Sequence, residues 1–397
     1  MVVVQRTELQ DAQPGVHGMG SAGTYCAVRI AYVVGARPNI VKMAPVLGAV
    51  RRRIPTADHV LIHTGQHYDR LMSEVFLEEL RMPPPDHMLG VGSGTHTEQT
   101  AMVMAGLEAC LQRERPDLVV VSGDVNSTLA TALTAAQQGV PLAHVESGLR
   151  SFDRAMPEEL NRRLTDHVAD HLFVHCADAR ENLLREGIPP ERVTFAGNTM
   201  IDSLMAMEPT FRNRDVAGQL GCEPGRYLLV TLHRPALVDG PQLLEVMEEL
   251  RRLSQELEVL FPVHPRTRVT LDDLDFGPRV RLLDPLPYVD FLSLEAHAAA
   301  VLTDSGGIQE ETTFLGIPCF TLRDNTERPI TLSHGTNTLL GLDPARIRDI
   351  LPALERPPRP VTPLPRWDGR AAERIAAAIE RDYGAAPEAT PLAEASA

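Results

Sequence analysis

Short apolar runs that end on a glycine or a charged residue recur along this chain, and a helical segment follows most of them. A continuous apolar run, rather than an alternating one, marks a strand buried on both faces. Strands of that kind separated by helices form parallel sheets, because parallel neighbours can be joined only by a crossover. The first series opens on the apolar run from Cys26, which ends at Gly35. It continues with strands over Asp58–His63, Asp117–Ser122, Pro141–Val145 and His171–His175, and helices over Thr97–Arg113, Asn126–Gln138 and Glu158–Ala169. A second series has strands over Tyr227–Leu232, Val259–Val263, Val280–Leu283, Ala299–Thr303 and Pro318–Leu322. The expectation is an α/β fold of two Rossmann-like domains facing one another across a cleft. They divide as 26–205 and 206–365, with a terminal helix in 366–384, a disordered arm over 1–25 and a disordered tail over 385–397.

Of the 397 residues, 43% are hydrophobic and 4% aromatic, so the core must be built from aliphatic side chains. The formal charge of −15 argues against a general nucleic-acid binder, which needs a basic surface, but not against a nucleotide in a locally basic pocket. Cys26, Cys110, Cys176, Cys222 and Cys319 are scattered, with no zinc-ligand spacing, which fits reduced thiols and a cytoplasmic protein. No apolar run reaches the roughly 20 residues that cross a bilayer.

In open α/β sheets, ligands bind beyond the carboxyl ends of the strands. Here those ends carry Arg37, Gln66, Asp124, Glu146, His233, His264 and Ser305, a set suited to a polar ligand in the cleft. Asp304-Ser305-Gly306-Gly307 reads as a strand–loop–helix joint. Its glycines admit a ligand close to the backbone, and its helix N-terminus favours an anion such as a diphosphate; Ser305 can cap the helix. Glu311, one turn further on, can accept ribose hydroxyls. Arg37 and Lys42 occupy a similar joint after Gly35. Neither joint is a dinucleotide fingerprint or a P-loop. Asp124, Glu146 and Glu158 are three carboxylates at adjacent strand and helix ends, and carboxylates enclosed together acquire the divergent pKa values that acid–base chemistry uses. His233 stands where it can act on a leaving phosphate or orient a sugar. Each residue also has an ordinary structural reading: an N-cap, a first-turn acid or a solvated base.

Taken together, the strings GARPNIVKMAPV (35–46), TGQHYD (64–69), VGSGTHTEQT (91–100), SGDVNSTLA (122–130), HVESGLRSFDRAMPEELNRRLTDH (144–167), TLHRP (231–235), FPVHPRTR (261–268), TDSGGIQEE (303–311) and RDNTERP (323–329) resemble the non-hydrolysing bacterial and archaeal UDP-N-acetylglucosamine 2-epimerases. The resemblance is collinear over about residues 27–341. It implies the GT-B fold, with the terminal helix crossing back to the first domain. It also implies inversion at C2 by anti elimination of UDP through a 2-acetamidoglucal, without cofactor or metal, in a homodimer whose partner is a UDP-sugar. Carried over by motif, Asp124, Glu146, Glu158 and His233 are the catalytic residues. Arg37, Lys42, Gln66, His67, Arg150, His264, Ser305, Gly306, Gly307, Glu311 and Arg328 would hold the UDP-sugar.

The chain departs from the family at some points. Asn39 stands where Glu is usual, and His233-Arg234-Pro235-Ala236-Leu237 replaces HRREN. Many bacterial members use such segments for an allosteric second UDP-sugar site, so an archaeal-like enzyme without that activation is expected. Substrate choice is expected to show at Asn39 and around Gln66 and His67. A hydrolysing 2-epimerase, a 2-epimerase of a related UDP-acetamido sugar or uronic acid, and more distantly a GT-B glycosyltransferase, remain open.

Overall fold

A computed structural model describes residues 27–65, 70–238, 240, 242–271, 274–357 and 362–384. The arm expected over 1–25 and the tail expected over 385–397 lie outside the described residues, as do Cys26, Gln66 and His67.

The first sheet contains β1 (Arg29–Val34), β2 (Asp58–His63), β3 (His87–Met88), β4 (Leu118–Ser122), β5 (Leu142–Val145), β6 (His171–Val174) and β7 (Val193–Phe195). Its order is β3-β2-β1-β4-β5-β6-β7. The second contains β8 (Tyr227–Thr231), β9 (Glu258–Pro262), β10 (Val280–Leu283), β11 (Ala300–Thr303), β12 (Cys319–Thr321) and β13 (Asn337–Leu339), ordered β10-β9-β8-β11-β12-β13. Every pairing in both sheets is parallel. Both orders reverse direction at the first strand of the sheet, between β1 and β4 and between β8 and β11. That reversal opens the crevice in which doubly wound folds bind their ligands.

The unbroken apolar runs have the expected cause. Ile30, Tyr32 and Val34 of β1 enter one core layer, while Ala31 and Val33 enter the layer on the opposite face. Leu228 and Val230 of β8 likewise oppose Tyr227 and Leu229. Very short strands such as β3, β7 and β13 have too few residues to show a pattern and are absent from the sequence reading.

The domain boundary expected after residue 205 falls inside the single helix Thr199–Arg212. Met200 joins the first-domain core, whereas Leu204, Met207 and Phe211 pack with Val289 and Leu292 of the second domain. This helix is therefore shared between the two cores. The terminal helix Ala371–Tyr383 lies on the helix Arg37–Arg53 of the first domain. Ile375 and Ile379 enter the same core as Val46 and Val50, and Arg52 reaches Glu373 at 2.6 Å. Asp202 accepts bonds from the N–H groups of Ala371 (3.2 Å) and Ala372 (2.7 Å), capping that helix. Ile375 is fully buried, so Ile375→Ala is expected to cost about 2–5 kcal/mol in denaturant unfolding. A smaller loss would show that the terminal helix is only loosely docked. Among the described residues, no helix is long and apolar enough to cross a membrane.

Candidate functional site

The loops after β4 and β5 carry two of the carboxylates singled out above. β4 ends at Ser122, and Gly123 turns the chain with φ +69° to present Asp124. A side chain at position 123 would meet Asn39, Lys42 and Glu146 within 3.4 Å, so only glycine leaves room for these groups to converge. Glu146 follows β5 at φ +66°, a conformation a glutamate adopts only under constraint. Its own N–H and that of Ser147 both donate to Phe173 O, at 3.0 and 3.1 Å, which fixes the turn. Backbone strain held in place by its surroundings is commonest at functional sites.

Charge compensation around these carboxylates is dense. Arg162 donates twice to Asp124 Oδ2, from Nη2 at 2.5 Å and Nε at 3.2 Å, leaving the other oxygen outside that pairing. Burial alone would raise the Asp124 carboxyl; Arg162 and Lys42 more than offset it, and Asp124 is held below the usual range. The Asp124 side chain is still 26% exposed, so an ionised oxygen can meet a ligand. Glu146 lies between Lys42 Nζ and Arg328, whose Nη2 is 2.8 Å from Oε1. Lys42 and Glu146 belong to the first domain and Arg328 to the second, so this triad spans the cleft. Glu158 is half-buried in the first turn of the helix Pro157–Val168, within electrostatic reach of Arg234.

The second domain supplies a candidate anion site. Ser305 stands at the N-cap of the helix Gly306–Leu315, but its hydroxyl makes no capping bond. The sequence reading gave it that bond; instead the hydroxyl stays available beside the helix N-terminus. A Cβ on Gly306 would collide with Arg328 and Glu327, so the glycine allows the guanidinium to lie across the start of the helix. Arg328 also meets Glu327 Oε1 at 2.5 Å and Glu310 Oε1 at 3.2 Å. Gly307 packs against Met200. A helix N-terminus overlaid by an arginine suits a diphosphate.

His233 follows β8 with 60% of its side chain exposed, and its Nδ1 lies 2.7 Å from buried Asp304 Oδ1. Asp304 also accepts the N–H groups of His233 (2.9 Å) and Arg234 (2.7 Å). Burial would raise Asp304, but these contacts hold it low, so it can fix the imidazole with Nε2 outward. Glu311 is buried, and Tyr288 donates its hydroxyl to it; burial pushes its carboxyl up to about 7. Any ligand hydroxyl approaching Glu311 must therefore replace the Tyr288 hydroxyl. Arg37 lies at the start of its helix with its guanidinium 5.9 Å from the Phe76 ring, and His264 is exposed after β9.

Arg150, expected to hold the UDP-sugar, has a fully buried side chain bonded to Asp166 at 2.7 Å and Glu186 at 2.6 Å, so both ends of its guanidinium are engaged within the first domain. That network also holds Gly148 N–H and His144, and so supports the Glu146 loop from beneath. Asn39, where substrate choice is expected to show, stands beside Lys42 and Glu146 around Gly123. It is buried, with its amide donating to Ser122 O at 2.6 Å and its oxygen accepting from Ala36 N–H at 3.2 Å. Conversely, Arg162, Asp304, Glu310, Glu327 and Tyr288 are central to the site and had no assigned role. Four of them sit in segments already singled out (Arg162 in 144–167, Asp304 and Glu310 in 303–311, Glu327 in 323–329), but a partner for a buried charge becomes visible only when the chain is folded.

Residues 50–380 match the UDP-N-acetylglucosamine 2-epimerase family model. The UDP-N-acetylglucosamine 2-epimerase of Methanococcus maripaludis is 40% identical over 331 residues, covering 80% of this chain and 89% of that protein. The UDP-2,3-diacetamido-2,3-dideoxy-D-glucuronate 2-epimerase of Pseudomonas aeruginosa is 39% identical, covering 79% and 88%. The crystal structure of Methanocaldococcus jannaschii UDP-GlcNAc 2-epimerase in complex with UDP-GlcNAc and UDP superposes with a TM-score of 0.82 at 38% identity, covering 89% of this chain and 100% of that one.

Proposed function

The chain belongs to the UDP-N-acetylglucosamine 2-epimerase family, and on that premise we propose that it interconverts UDP-N-acetylglucosamine and UDP-N-acetylmannosamine by inversion at C2. The observation that carries the reading is the placement of Asp124 and Glu146 opposite Arg328 and the helix Gly306–Leu315, carboxylates on one wall and an anion site on the other.

Asp124, held ionised, takes the C2 proton. The C2–H electron pair forms the C1=C2 bond as the C1–O bond breaks and its pair leaves with UDP. Arg328, Lys42 and the helix N-terminus receive the charge that develops on the diphosphate, and His233 presents Nε2 to the same group. The products held between the domains are 2-acetamidoglucal and UDP. Glu158, having taken a proton from solvent, gives it to the opposite face of C2 as the C1=C2 pair forms the new C–H bond, a diphosphate oxygen of UDP adds at C1, and the epimer forms. Asp124 then releases its proton to solvent. Glu146 is paired on both sides by cations and acts as a fixed charge that keeps Lys42 and Arg328 aligned. The elimination must occur in a closed cleft, because water reaching the glucal or loss of UDP ends the cycle. Met156 supports closure: its sulfur lies 4.0 Å from Arg234 and 3.9 Å from Arg323 of the second domain.

The test is a time course by NMR with UDP-N-acetylglucosamine in D₂O. UDP-N-acetylmannosamine carrying deuterium at C2 is the expected product. Free N-acetylmannosamine with UDP would identify a hydrolysing enzyme. Turnover only of a UDP-diacetamido uronic acid would move the substrate to that of the Pseudomonas relative.

The proposed enzyme is a cytoplasmic homodimer. Leu160 (56% exposed) and Leu164 (41%) form one row on the helix Pro157–Val168, with Phe152 (74%) in the loop before it, an apolar surface suited to a second copy. Light scattering is expected to give twice the chain mass, and the double variant L160E/L164E a single chain. An unchanged dimer in that variant would place the contact elsewhere.

A further inference from the structure

His175 takes no part in the chemistry above, yet three parts of the chain meet at it. It follows β6 in the first domain, with its side chain 2% exposed. Its Nε2 lies 3.0 Å from Oε1 of Glu310, a fully buried residue on the helix Gly306–Leu315 of the second domain. The segment leading into the terminal helix supplies Trp367, whose indole N–H donates to His175 O at 3.1 Å and whose ring stacks on the imidazole at 6.2 Å.

Glu310 is the hinge of this arrangement. The oxygen that faces His175 is also 3.2 Å from Arg328 Nε. Arg328 then divides its terminal nitrogens between Glu327 (2.5 Å) and Glu146 (2.8 Å), and Glu146 meets Lys42. Charges therefore alternate along the domain seam: His175, Glu310, Arg328, Glu146, Lys42. Neither oxygen of Glu310, neither ring nitrogen of His175, nor Arg328 Nε has a well-directed hydrogen bond. The Glu310 carboxylate is thus held by charge rather than by donor geometry. Burial would raise it, but Arg328, His175 and Lys42 bring it down to about 2. Burial alone would lower the imidazole, but Cys176 and Glu310 raise it above its ordinary value, and a carboxylate 3.0 Å from Nε2 is the neighbour that favours a charged ring. Without that second cation, Glu310 would have to draw more heavily on Arg328, whose terminal nitrogens serve the cleft.

We propose that His175 is a positioning residue for the sugar-nucleotide site: as a buried cation it satisfies Glu310 across the domain seam, so that Arg328 engages Glu310 through Nε alone and keeps its terminal nitrogens on Glu146 and the diphosphate end of the cleft. This rests on the reading of that cleft as a UDP-sugar site. It predicts that the charge of residue 175 matters more than its ring.

UDP binding by calorimetry is the direct probe, with steady-state kinetics beside it. His175→Gln, similar in size and neutral, is expected to weaken UDP about tenfold and raise KM equally, with kcat within about threefold of the parent, as for loss of one charged contact. His175→Lys is expected to restore binding to within about threefold. In a Glu310→Gln background, His175→Gln is expected to have no further effect, because the group it serves is gone. Unchanged UDP affinity in His175→Gln, His175→Lys as weak as His175→Gln, or a full tenfold loss in the Glu310→Gln background would each overturn the proposal. Failure of the parent protein to bind UDP would instead overturn the reading of the site, so the two failures are distinguishable.

Discussion

Asp124→Asn is expected to reduce epimerisation by about 10²–10⁴-fold, the range for loss of a positioned base, and to abolish C2 hydrogen exchange with solvent, while UDP binding stays within about threefold. The separation follows from where Asp124 sits. It faces the cleft from the first domain, whereas the diphosphate site is built mainly by Ser305, Gly306 and Arg328 of the second. The substitution keeps the shape and removes the charge that accepts the proton. Arg162 keeps Glu159 Oε2 at 2.8 Å, so the guanidinium is not left buried without a carboxylate. The expected stability loss is accordingly modest, about 1–3 kcal/mol. The pH dependence has a definite sign. The Asp124 carboxyl is depressed below its ordinary value, so the base is ionised above that value and lost only as pH falls through the depressed one. The acid limb of kcat/KM arising from this group should therefore lie below the ordinary aspartate value of about 3.9. Persistent C2 exchange in Asp124→Asn would sink the base assignment, and Glu158→Gln would be the next variant.

Much of this fold was legible because its strands are buried on both faces. An unbroken run such as DLVVVS needs no long-range knowledge to be read as a central parallel strand, and β4 lies at Leu118–Ser122. The ends of those strands then point to the cleft, which is how Asp124, Glu146, His233 and Ser305 could be picked out. What stayed hidden depends on contacts distant in sequence. Arg150 carries a site-like charge in a site-like loop, and only the fold reveals that Asp166 and Glu186 consume it. Asn39 differs from the family's usual residue, and only the fold shows that it bonds to the backbone at Ser122 and Ala36. The expected division at 205/206 falls within the helix Thr199–Arg212, which serves two cores although its apolar residues read locally as one amphipathic helix. The role of Glu310 rests on His175, 135 positions earlier, and Arg328; no local string announces a carboxylate shared between two domains.

Arg328→Met carries the largest expected effect on both binding and stability. The guanidinium is the shared partner of Glu146, Glu310 and Glu327, all buried. Removing one member of a buried ion cluster strands the others, which costs about 3–5 kcal/mol. UDP affinity should fall about 10²-fold, since a charge-assisted contact to the diphosphate is lost with it. Arg328→Lys is expected to recover only part of either loss, because one ammonium cannot reach three carboxylates in the fork geometry of a guanidinium. The pH dependence separates this account from simple loss of packing. In the parent, Glu310 and Glu327 are depressed by Arg328, the first to about 2, so their stabilisation is complete above the unfolded glutamate value of about 4.3 and is lost as pH falls through the depressed values. In Arg328→Met, burial is no longer offset by this cation and pushes both carboxyls upward. The folded state then binds protons that the unfolded state has released, and stability should rise as pH falls from 7 towards 5. Thermal melts at these two pH values should therefore show the variant recovering part of its deficit at the lower pH. An equal deficit at both would mean that the remaining cations, His175 and Lys42 beside Glu310 and Arg323 and Arg162 beside Glu327, neutralise the cluster, and that the stability loss is one of packing.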